Sequence, residues 1–212
     1  MSLKVIHGWR DLNEAERGAA AALGNFDGVH LGHAQVIGMA REAAQRLGAP
    51  LAVITFDPHP RRVFRPTNPP FRLTTLGQQV RALEALGVER LHMLPFDFAM
   101  ASMSDRQFAD EVLREGLGVR HIAVGFDISF GAGRTGSPET MKAYGAEMGF
   151  GVSVAPALTS ASGEKISSSQ VRAALRDGRP QDAAAVLGRP FAIEGVVREI
   201  GRASCRERVS LN

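Results

Sequence analysis

One cysteine stands in 212 residues, Cys205. A single thiol excludes an intrachain disulfide framework and any cysteine-based metal cluster. Aromatic residues are few, 11 Phe with one Trp and one Tyr, and the lysines and arginines are scattered despite a net charge of +3. A stacking and cationic surface for nucleic acid is therefore not expected. No apolar run approaches the ~18 residues of a membrane span, and residues 1–17 lack the apolar core of a secretory signal. The expectation is a cytoplasmic protein with neither membrane nor nucleic-acid partners. Internal repeats and low-complexity segments are also missing. What remains, 44% hydrophobic and 22% charged residues, is the composition of an ordinary globular domain.

Apolar and amphipathic stretches alternate. Residues 19–23, 51–56, 90–94, 119–124 and 150–155 read as strands; 51–56 (Leu-Ala-Val-Ile-Thr-Phe) is the continuous β-branched run of a strand buried on both faces. Between them lie helical patterns over 34–47, 75–86 and 104–116, then a helix begun by Ser137 and Pro138, then 167–177 and 180–187. Gly48, Gly87, Gly116, Gly178 and Gly188 supply the stops. This rhythm predicts an α/β fold with a mostly parallel sheet flanked by helices. Ligands in such sheets bind at the carboxyl ends of the strands, near a topological switch point. Pro66, Pro69 and Pro70 mark a rigid connection, and a domain boundary is expected near Gly188-Arg189-Pro190.

Four segments at strand ends carry chemistry. Residues 24–33 read Gly-Asn-Phe-Asp-Gly-Val-His-Leu-Gly-His. His30 and His33, split by Leu31 and Gly32 at a helix mouth, suit a polyphosphate whose charge must be stabilised during transfer. A zinc site is disfavoured because no third and fourth ligands lie at metal spacing. The second segment, Thr55-Phe56-Asp57-Pro58-His59-Pro60, is stiffened by its prolines and aims Asp57 and His59 at the crevice. A local cluster of Arg61, Arg62 and Arg65 next to it suits a small phosphorylated ligand.

The third segment, residues 125–136, contains G-x-G-x-x-G at Gly131, Gly133 and Gly136. A dinucleotide fingerprint requires an acidic residue ~20 positions on. That neighbourhood here is Val154, Ala155 and Pro156, so the reading is rejected in favour of a phosphate-cradling loop carrying Arg134. The fourth segment, Lys165-Ile-Ser-Ser-Ser-Gln-Val-Arg172, opens a helix. Its serines read either as plain caps or as donors to an anion, with Arg172 one turn in as a fixed positive charge.

Taken in order, these four segments resemble the FAD synthetase module of the bacterial bifunctional riboflavin kinase/FMN adenylyltransferase family. The resemblance covers roughly residues 20–197. H-x-G-H and the serine–arginine segment are shared with the wider nucleotidylyltransferase superfamily, while the other two are particular to the flavin enzymes. The resemblance implies a Rossmann-like nucleotidyltransferase fold and the reaction ATP + FMN → FAD + pyrophosphate with Mg²⁺. It implies catalytic roles for His30, His33 and Arg172. It also implies ATP and phosphate contacts from Gly24, Asn25, Phe26, Asp27, Gly32, Ser167, Ser168 and Ser169. Flavin contacts fall on Phe56, Asp57, Pro58, His59, Asp127, Phe130, Gly131 and Arg134, with no residue assigned to the metal.

Two departures from the family pattern stand out. Ser169 replaces the usual threonine and keeps its hydroxyl. Downstream, the pattern assigns residues 1–188 to the transferase, 189–198 to the first strand of a riboflavin kinase barrel, and 199–212 to an artefactual tail containing Cys205. The kinase's own glycine-rich and Pro-Thr-Ala-Asn segments do not follow, so kinase activity is not expected of this chain. The competing readings are an adenylyltransferase for another phosphorylated acceptor and a non-catalytic flavin-nucleotide-binding module.

Overall fold

The computed structural model describes residues 2–69, 71–160 and 163–195. The central strand, β2 (Ala20–Leu23), is wholly buried, with Ala20, Ala21 and Ala22 at 0% exposure. Small side chains let elements pack closely on both faces. Alternation along the strand divides them. Ala20 and Ala22 enter a core with Val36, Ile37, Ala40, Leu83 and Leu91. Ala21 and Leu23 enter the opposite core with Ile54, Leu94, Leu113, Ile122 and Met141.

Around β2 lie β1 (Lys4–His7), β3 (Leu51–Asp57), β4 (Arg90–Pro95), β5 (His121–Gly125) and β6 (Gly151–Ala155). Every pairing is parallel and the order is β1-β4-β3-β2-β5-β6. From β2 the chain builds outward to β3 and β4 on one side, then to β5 and β6 on the other. The loops leaving β2 and β5 therefore diverge and open a crevice between them.

The helices are α1 (Leu31–Leu47), α2 (Pro60–Phe64), α3 (Leu76–Ala85), α4 (Phe98–Ser102), α5 (Asp105–Gln107), α6 (Pro138–Met148), α7 (Ser168–Arg176) and α8 (Pro180–Leu187). Beyond Gln107, α5 runs on as a π-helix over Phe108–Gly116. α7 and α8 form a third cluster with Leu73 and Ile166, against which Phe191 packs half-buried.

Two expectations change. β1 was not predicted; it is four residues long with one fully buried side chain, and it exists by pairing with β4. Residues 191–195 form no strand. Instead Gln78 Nε2 donates to the Ala192 carbonyl at 2.8 Å, and Glu194 pairs with Arg81, so this stretch lies along α3. The remaining part of the expected barrel strand, the tail and Cys205 lie outside the described residues. Among the described residues no helix is long and apolar enough to cross a membrane.

His92 sits in register between Ile6 of β1 and Ile54 of β3, 2% exposed, and its Nδ1 has no partner among the described residues. Burial lowers its pKa to about 4, with Arg90 adding to the shift and Glu16 opposing it. The unfolded chain titrates this group near 6.5, so the unfolded state binds more protons between the two values. Stability is complete above about 6.5 and is lost as pH falls toward 4, by up to about 3 kcal/mol. The urea midpoint should drop between about pH 7 and pH 4.5, and drop less in His92→Leu. A flat wild-type midpoint over that range contradicts the assignment.

Candidate functional site

The turn leaving β2 is the centre of the crevice. Phe26, Gly28 and Val29 have φ of 48°, 87° and 44°. Two of these are non-glycine residues in the left-handed region, a conformation kept only where the surroundings impose it. Thr55 Oγ1 and Gln79 Nε2 donate to the Asn25 carbonyl at 3.1 and 3.4 Å, and Arg189 donates to the carbonyls of Gly28 and Val29. Phe26 is buried at 1% exposure, whereas Asn25 stands exposed at the tip.

α1 begins three residues earlier than the pattern predicts because His30 is its cap. The His33 backbone N–H donates to His30 Nδ1 at 3.2 Å. An accepting Nδ1 places the neutral ring's proton on Nε2. The two imidazoles stack with centroids 3.6 Å apart and planes 17° from parallel, and Phe26 lies against His33 at 5.1 Å. Burial lowers the His30 pKa to about 4, with Lys165, Arg172 and Arg189 contributing. Burial and then His30 push His33 well below the usual range. His33 Nδ1 is buried without a partner among the described residues. An orphaned acceptor there is less costly than an orphaned N–H, so this ring too carries its proton on Nε2. Both histidines are neutral donors near pH 7. A Cβ at Gly32 would lie 3.2 Å from the His30 ring, so a larger residue there would press on the imidazole.

Asp27 and Arg172 depart from their expected roles. Asp27, 5% exposed, accepts from the backbone N–H groups of Leu73 (2.9 and 3.1 Å) and Thr74 (3.3 Å) and pairs with Arg172. It is a strut rather than a phosphate contact, since its oxygens are consumed by the protein. Arg172 also donates through Nε to the Phe71 carbonyl at 2.8 Å and lies over the Phe71 ring, so its charge is held in place by these contacts and by Asp27. Ser167 caps α7 by accepting from Gln170 N–H at 3.3 Å, and Ser168 Oγ donates to the Asp27 carbonyl at 2.8 Å. Of the three serines only Ser169 stands exposed without a hydrogen-bond partner among the described residues.

The second segment borders a pocket at the carboxyl end of β3. Asp57, Pro58 and His59 line a pocket of ≈ 210 Å³ with Arg62, Phe71 and Arg72. His59 caps α2 by accepting from Arg61 N–H at 3.1 Å and meets Phe71 edge-on at 4.9 Å. Burial lowers its pKa, against the opposing effect of Asp27. Arg72 faces Asp57 at 3.4 Å. Phe56 instead turns to Phe96 and Phe108. Phe71 and Arg72 follow a proline-rich connection and carry no local signal, so the sequence reading missed them.

The glycine loop is shaped by packing. A Cβ at Gly131, where φ is +74°, would lie 2.3 Å from the Asp105 nitrogen, and one at Gly136 would strike the Phe130 ring at 2.7 Å. The N–H groups of Phe130, Ala132, Arg134 and Gly136 are spent on protein carbonyls. That leaves a poorer anion cradle than the sequence suggested. Arg134 is held by Ser129 Oγ at 2.9 Å, and Asp127 is paired with Lys165, whose ammonium lies 4.8 Å from the Phe126 ring centre. Among the described residues no three His, Cys, Asp or Glu side chains are grouped as a metal cage.

The bifunctional riboflavin kinase/FMN adenylyltransferase of Pseudomonas fluorescens is 39% identical over 195 residues, covering 92% of this chain. The chain spans 62% of that relative's length. A solved Streptococcus pneumoniae chain described as a macrolide-efflux protein superposes with a TM-score of 0.77 at 28% identity, over 90% of this chain and 61% of its own. The pantoate-beta-alanine ligase of Francisella tularensis shares the fold alone, with a TM-score of 0.51 at 13% identity over 87% of this chain and 86% of its own. A family model of FAD synthetase matches residues 12–170, which takes in β2 through the first turn of α7, and the chain therefore belongs to the FAD synthetase family.

Proposed function

We propose that this chain transfers the adenylyl group of ATP to FMN, giving FAD and pyrophosphate, in the cytoplasm. The carrying observation is the pair of neutral imidazoles at the mouth of α1. Beside them the amides of Leu31 and Gly32 have no partner among the described residues. The attacking group is the FMN phosphate, whose second pKa near 6 leaves it anionic at neutral pH. No general base is needed. The protein's task is to align two anions and stabilise charge growing on the oxygens of the α-phosphate and the leaving pyrophosphate. His30 and His33 donate through Nε2, and the free amides at the start of a 17-residue helix add partial positive charge.

Mg²⁺ enters with ATP as part of the substrate. The one buried carboxylate of the turn is committed to Arg172 and backbone donors, so a Mg²⁺ ion arriving with ATP would take most of its ligands from the phosphates. The pocket of Asp57, Pro58, His59 and Phe71 seats the FMN end, with Arg62 and Arg72 supplying positive charge at its rim.

Incubation with ATP, Mg²⁺ and FMN should quench flavin fluorescence as FAD forms. Absence of FAD with correctly folded protein would leave only nucleotide binding and overturn the proposal.

A further inference from the structure

Arg189 falls beyond the matched residues 12–170 and beyond all four segments. Its side chain nevertheless turns back into the site. Nη2 donates to the Gly28 carbonyl at 2.6 Å, and Nη1 donates to the Val29 carbonyl at 2.8 Å and to Leu187 at 3.4 Å. The backbone it grips is the left-handed pair Gly28 and Val29, φ 87° and 44°. A β-branched residue holds such a conformation only when it is over-determined.

The peptide unit is planar and trans, so a C=O and the following N–H point in opposite directions. With the Val29 carbonyl anchored on Arg189, the His30 N–H is turned the other way. That N–H has no partner among the described residues. The same peptide sets the extended backbone of His30 (φ −77°, ψ 173°), and with it the imidazole stacked on His33.

We propose that Arg189 is a positioning residue of the phosphate-binding turn. It fixes the two peptides before His30 so that the His30 amide and ring face the polyphosphate of the nucleotide. The inference rests on the adenylyl-transfer reading above. It moves the functional edge of the transferase: the smallest active unit extends through Arg189, although the sequence places the domain boundary at that point. Arg189 also helps hold His30 neutral, being one of the cations that lower its pKa.

The test compares wild type with Arg189→Ala. Misplacing a preorganised group by about 1 Å costs up to about a hundredfold, so kcat should fall about tenfold or more. Affinity for inorganic pyrophosphate with Mg²⁺, read by titration calorimetry, should weaken about tenfold, while KM for FMN changes less than about twofold. Thermal melting fixes an assay temperature at which the variant is fully folded. Unchanged kcat and pyrophosphate affinity overturn the inference, as does a loss that tracks only the unfolded fraction. Where Arg189→Ala does not fold, Arg189→Lys decides. It keeps the charge but lacks the fork that spans two carbonyls, so intermediate values support positioning and wild-type values refute it. If wild type forms no FAD while pyrophosphate binding still depends on Arg189, the adenylyl-transfer reading fails and the positioning role stands.

Discussion

Alanine at position 33 is expected to lower FAD formation by about two orders of magnitude or more, the scale set by loss of one preorganised donor from a charge-stabilising site. The ring is wedged between His30 and Phe26, with its buried Nδ1 unpartnered among the described residues. Only Nε2 is left to face the crevice. Such a ring has its direction fixed before substrate arrives, so it contributes to the transition state without reorganising. Being held neutral, it meets the developing pyrophosphate charge as a hydrogen-bond donor rather than as a formal cation. The pocket proposed for FMN is lined by other residues, so FMN affinity should change only a few-fold while kcat falls. Measuring kcat and KM for both substrates checks this, and a His33→Ala enzyme with wild-type turnover would remove the histidine pair from the mechanism.

Arg172→Ala should lose about 3 kcal/mol of stability, and most of its turnover with it. Asp27 is 5% exposed and Arg172 19%. Removing one partner of a buried pair leaves the other as an uncompensated charge, at a typical cost of ~3–5 kcal/mol; the partial exposure of Arg172 puts this case at the lower end. Domains of this size have roughly 5–15 kcal/mol in total, so the variant should fold but melt early. Its FMN pocket suffers too, because Arg172 holds the Phe71 carbonyl and lies over its ring. The double variant Asp27→Asn/Arg172→Ala should recover part of the loss, since the stranded charge is gone. Additive midpoints in urea, with no recovery, would show that the pair is not coupled.

Much of this molecule was legible in the sequence for identifiable reasons. β3 is a continuous apolar run, and the α6 start announces itself through the Ser137 cap and Pro138 that the structure reproduces. The histidine turn was visible because glycine and histidine spacing is local. β1 was hidden because its stability lies in its partner, not in its own four residues. Asp27 was misread for a similar reason. A carboxylate in a phosphate motif looks like a ligand until the chain returns 145 residues later with Arg172 to claim it. Phe71 and Arg72 carry no local pattern, and Arg189 was legible only as part of a domain boundary; the tertiary fold brings Arg189 back to the glycine-histidine turn.

The same return contacts set the order in which the site can be built. Asp27 and Gly28 take their partners from Leu73 and Thr74, then from Ser168 and Arg172, and last from Arg189, at sequence separations from 46 to 161 residues. Contacts so distant close late, after the entropy of the intervening loops has been overcome. As the chain leaves the ribosome the glycine-histidine turn is among the first segments to appear. It cannot hold its strained geometry until Arg189 has been synthesised, so a nascent chain does not acquire nucleotide chemistry before that residue has emerged.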